Sequence, residues 1–80
     1  MDVNMVFECI GYGASRAVAS DNFHDSAFQV PARYILETAR DPVGYCIEAY
    51  ARTHPDVDFD GQARDLILKR LLREAGDTQH

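Results

Sequence analysis

Tryptophan is absent, cysteine and methionine occur twice each, and proline appears three times in eighty residues. Two cysteines are too few for the disulfide framework that holds small secreted domains together, so a fold must rest on an apolar core. No apolar run reaches the roughly 18–20 residues of a membrane span, and the N-terminus lacks the basic start and long apolar core of a signal peptide. These absences point to the cytoplasm, where both thiols stay reduced. Basic residues are also scarce: eight against thirteen acidic ones leave a net charge of −5, which opposes non-specific attraction to a nucleic-acid backbone. Internal repeats and low-complexity stretches are missing as well.

The composition is that of an ordinary globular domain, 46% hydrophobic and 26% charged. A chain this short buries only about 60% of its unfolded surface, enough for one small domain over residues 1–76 with a frayed tail at 77–80. Residues Val3 to Ile10 are dense in β-branched and large apolar side chains and run into Gly11-Tyr12-Gly13, a pattern that predicts one strand ended by a glycine turn. Proline and aspartate mark the boundaries that follow. Pro31, Asp41-Pro42, and Asp60 with a stop at Gly76 predict helix starts and ends, since a carboxylate caps exposed amides and proline suits the first helical turn. The expected fold is therefore α+β and helix-dominated, with a strand at about 3–10 and helices at about 15–28, 31–40, 42–54 and 61–75. A single strand leaves its amides and carbonyls unpaired. It is expected to pair with a second chain, making a homodimer through Val3, Met5, Phe7 and Cys9.

Asp56-Val57-Asp58-Phe59-Asp60-Gly61 matches the first half of a calcium loop, but the closing carboxylate is replaced by Ile67. The aspartates are better assigned to capping the last helix. Cys9, Cys46, His24 and His54 show no metal-ligand spacing, and the serines have no base at a readable distance. No catalytic, cofactor or metal residues are assigned, and the chain is expected not to be an enzyme.

Gly11-x-Gly13-x-Ser15-Arg16, then Ala19 and later Ala27-Phe28, resembles the last strand and second helix of double-stranded-RNA-binding domains. In that family a lysine cluster at the helix start grips phosphates. Here Arg16 is the one basic residue, with Ala17 and Ser20 at the neighbouring positions, and the resemblance spans about twenty residues. It implies a nucleic-acid-binding module as the alternative function.

The last helix offers the most informative surface. Ile67, Leu68, Leu71, Leu72 and Ala75 share one arc, which leaves Leu66 among Lys69, Arg70 and Arg73. An apolar anchor ringed by cations suits an acidic protein partner. The expected function is that of a small acidic, non-enzymatic regulator, adaptor or inhibitor acting by protein–protein contact. One variant has its carboxylates imitate phosphates, as in anti-restriction or anti-CRISPR inhibitors.

Overall fold

Val6, Cys9, Gly13 and Ala17 recur at intervals of three, four and four, which is the period of a helix face. In the computed structural model, which describes residues 3–25 and 27–76, these four form the buried stripe of a first helix, α1 (Val3–Ala19). This overturns the expected strand at 3–10, and no strand exists among the described residues. A short apolar run with β-branched residues is compatible with either a strand or a buried helix segment, and here packing decides for the helix. The glycines do not end it. Gly13 faces α3 (Pro42–Ala51), where an added Cβ would clash with Cys46 Sγ and lie 3.1 and 3.2 Å from Cys46 Cβ and Cα. Its missing side chain serves a close helix contact. Gly11 lies on the exposed side with nothing within 4 Å of a built Cβ.

The expected helix at 15–28 is likewise replaced. Its first residues belong to α1, which stops at Ala19, and a single 3₁₀ turn, Asp21–His24, follows. Ser20, Asp21 and Asn22 favour turns over helix interiors because their side chains compete for local backbone groups. Tyr34 organises the link that comes next. It is buried, shares a 2.6 Å hydrogen bond with Ser20, and receives the rings of Phe23 and Phe28 edge-on at 5.6 and 5.0 Å.

The remaining helices start where the sequence predicts. α2 (Pro31–Thr38) and α3 each begin on proline, and Asp41 caps α3 by accepting from the Gly44 amide at 3.1 Å. α4 (Gly61–Gly76) is capped by Asp60, whose carboxylate accepts from the Ala63 amide at 2.8 Å. α3 ends three residues earlier than expected, where the Thr53 and His54 amides both turn back to the Tyr50 carbonyl. The expected frayed tail at 77–80 lies outside the described residues.

Every other helix packs against α1, most extensively α3, and α2 also lies along α4. Ile35, Ile67, Leu71, Cys9 and Cys46 are the largest fully buried side chains. α4 is rotated relative to the expected arc: Ala63, Ile67 and Leu71 face inward, while Leu68 and Leu72 are 37% and 54% exposed. Leu66, expected to project outward, is half-buried and packs against the core.

Candidate functional site

The strand that was to join two copies is a helix with its backbone hydrogen bonds made internally, so the reason for pairing through residues 3–10 is gone. Of the residues assigned to that contact, Cys9 is fully buried and Met5 packs against the core. Val3 and Phe7 face outward, 62% and 47% exposed. One turn apart on α1, they flank the buried Val6.

Along α4, Leu66, Lys69, Arg70 and Arg73 fall at i, i+3, i+4 and i+7 and so form one edge. Because α1 and α4 pack together, that edge and the outward side of α1 meet. They enclose an open groove of about 330 Å³, lined by Val3, Val6, Phe7, Leu66, Lys69, Arg70 and Arg73. All four residues expected to bind a partner therefore stand together, joined by two residues expected to serve self-association. The volume is at the lower end for a small-molecule site, and the groove is open rather than enclosed. Its shape suits protruding side chains more than a free ligand.

Arg70 shapes the groove. Its guanidinium lies over the Phe7 ring, 4.4 Å from the centroid, and Nη2 donates to Glu74 at 2.7 Å. The Nε–H is buried and meets no acceptor among the described residues. Lys69 pairs with Asp65 at 3.1 Å, an exposed contact of small energetic weight. Among the described residues no carboxylate pairs with Arg73.

The other candidate chemistry is dispersed. Gly11 to Arg16 lies inside α1, so the strand and turn of a double-stranded-RNA-binding domain are not formed. Arg16 donates to the Tyr45 carbonyl at 3.0 Å and to Glu48 at 3.3 Å, and its guanidinium sits 4.0 Å over the Tyr45 ring. It clamps α1 to α3. Burial pushes the Cys9 thiol up to about 11 and the Cys46 thiol to about 12, which keeps both protonated and poorly nucleophilic. His54 stacks on Tyr50, 4.1 Å between ring centroids. Asp60 is committed to its cap, while Asp56 and Asp58 are exposed in the loop. Among the described residues no three His, Cys, Asp or Glu side chains are grouped to hold a metal ion. None of the described helices is long and apolar enough to cross a membrane.

No protein-family model matches the sequence, and no curated protein or solved structure resembles it significantly. The site's chemistry must be read from its own residues. The sequence reading missed Val6 at the floor of the groove and the joining of its two walls. The signal was present in the i, i+3, i+4 spacing of Val3, Val6 and Phe7, which a two-residue period hides.

Proposed function

We propose that this chain is a non-enzymatic binding protein, a small regulator, adaptor or inhibitor, and that it holds its protein partner in the α1–α4 groove. One observation carries the reading. Phe7 stands 47% exposed beside an apolar floor in a groove lined by three cations, one of them over its ring, in a protein whose net charge is −5. A half-exposed aromatic side chain with arginine beside it has the composition of an interface anchor. Phosphate mimicry is less favoured, because it needs a track of available carboxylates. Asp41, Glu48, Asp65 and Glu74 are engaged in ion pairs, and Asp60 in a cap. A cytoplasmic setting fits the two unbridged, buried thiols.

Affinity capture from host extract tests this reading with three baits: the wild-type chain, Phe7→Asp and Val18→Asp. Val18 is as exposed as Phe7 on the same helix but does not line the groove. A partner held by the wild type and by Val18→Asp, and lost by Phe7→Asp, is the expected result. Retention by Phe7→Asp moves the binding surface elsewhere.

A further inference from the structure

Three occupants can be weighed for the groove, and its charge separates them. In an isologous contact each copy presents the same patch, so Lys69, Arg70 and Arg73 would be brought toward their own symmetry mates. Like charges so placed oppose a second copy. A nucleic acid would meet the cations but offers no aliphatic group for the Val3–Val6–Leu66 floor.

A protein segment with apolar anchors and flanking carboxylates satisfies both halves of the site. Two helices bound the groove, and no strand edge exists among the described residues, so helix-in-groove docking fits better than strand addition. Arg70 adds a specific feature. Its Nη2 is engaged by Glu74 within the same helix, while its Nε–H is buried without an acceptor. A guanidinium paired through one edge retains donors for a second carboxylate. Turning toward an incoming acid would give the Nε–H an acceptor and uncover the Phe7 ring.

Resting on the reading above, we propose that the occupant is an acidic amphipathic helix of another protein. Its apolar side chains lie on Val3, Phe7 and Leu66, and one carboxylate takes Arg70 away from Glu74.

A phage library of helix-forming 16-residue peptides, randomised in charge, tests this when panned against the wild-type chain. Selected peptides are then titrated by NMR. Enrichment of peptides with leucine-like anchors at i, i+3, i+4 and i+7 and flanking Glu or Asp is expected. Saturable shifts should appear at the Phe7 ring and the Arg70 Nε–H. Affinity should fall tenfold or more in Arg70→Gln and in Phe7→Asp, as for an interface anchor. It should also weaken as salt rises.

Because Phe7→Asp could perturb α1, Lys69→Glu on the exposed rim supplies a second variant, and circular dichroism confirms that each is folded. Neutral or basic peptides that bind through Phe7 overturn the acidic partner and leave the groove reading standing. Selected peptides indifferent to Phe7→Asp and Lys69→Glu overturn both. A dimer seen by light scattering and lost in Phe7→Asp assigns the groove to a second copy. Retention of a 20-nucleotide single strand or duplex at about 0.15 M salt, lost in Arg70→Gln, assigns it to nucleic acid. Either result overturns the proposal.

Discussion

The side of α1 that faces α3 and the side that borders the basic edge of α4 are built on opposite plans. Toward α3, the small or compact residues Cys9, Gly13 and Ala17 allow the helix axes to approach until Gly13 meets Cys46. Arg16 and Glu8 then bridge the seam, the first to Tyr45 and Glu48 and the second as acceptor for the Tyr50 hydroxyl at 3.3 Å. Toward α4, the same helix presents Val3 and Phe7 to long cationic side chains, and the space between them is not filled. Close packing needs small residues, whereas a groove needs large ones that stop short of each other. One helix carries both designs because its two sides lie on different angular positions of a single 3.6-residue period.

Removing an apolar side chain should affect the two designs unequally, which gives the largest test. Leu71→Ala, which empties a fully buried position of the core, should cost about 2–5 kcal/mol. Phe7→Ala, at the open groove, should cost about 1 kcal/mol because only half of the ring leaves an apolar setting. Urea denaturation measures both, and equal losses would place Phe7 in the interior and remove the contrast.

The two glycines of α1 sharpen the same comparison at a smaller scale. Gly11→Ala should stabilise the protein by about 0.5–1 kcal/mol, since alanine is the better helix former and nothing lies near the new methyl. Gly13→Ala gains the same propensity yet should destabilise by about 1–3 kcal/mol through overpacking against Cys46. Part of that loss should return in the double substitution with Cys46→Ala, which removes the nearest atom. A stabilising Gly13→Ala would show that the α1–α3 seam is looser than its geometry.

These glycines also show what the sequence made legible. Pro31, Asp41-Pro42 and Asp60 are local signals whose stereochemistry acts wherever the chain goes, and the three helices they begin stand where expected. Gly11 and Gly13 carry no such meaning alone. A glycine that ends a strand and one that admits a neighbouring helix are the same residue until the neighbour is known, and Cys46 lies 33 positions away in the sequence. The rotation of α4 was missed for a related reason. Ala63 is fully buried and marks one edge of the inward arc centred on Ile67, but a pattern weighted by the large residues Leu68 and Leu72 turns the helix too far. Lys69, Arg70 and Arg73 were legible as an edge. The wall opposite them was not, because it required α1 to be a helix.

A third test concerns how the start of α3 is held against the rest. The Gly44 amide, with help from Arg64 at 3.1 Å, holds the Asp41 carboxyl below the usual carboxylate range. A lowered value means that the cap's stabilisation is complete above about pH 4 and is lost as pH falls through the folded-state value. Asp41→Ala should therefore cost about 1 kcal/mol at neutral pH, with the gap to wild type closing in acid. Thermal melts across pH 2–7 check this, and a gap that does not change with pH would exclude the carboxylate as its source.

The smallest expected effect is on the outer side of α4. Leu72→Gln should change stability by no more than about 0.5 kcal/mol, because Leu72 is over half exposed. A loss like that of Leu71→Ala would restore the arc expected from sequence and would draw Leu66 and its neighbours out of the groove.

The central position of α1 has a consequence for how the chain is made. The bonds that clamp α1 to α3 span 29 and 42 residues, from Arg16 to Tyr45 and from Glu8 to Tyr50. Their partners leave the ribosome well after α1 does. At about 5–20 residues per second, roughly three to eleven seconds separate the synthesis of Ala19 from that of Gly76. During that interval the buried stripe of α1 is covered in steps, by α2 and α3 first and by α4 last. Ribosome stalling or truncation before α4 would leave the part of that stripe facing α4 bare and available to chaperones.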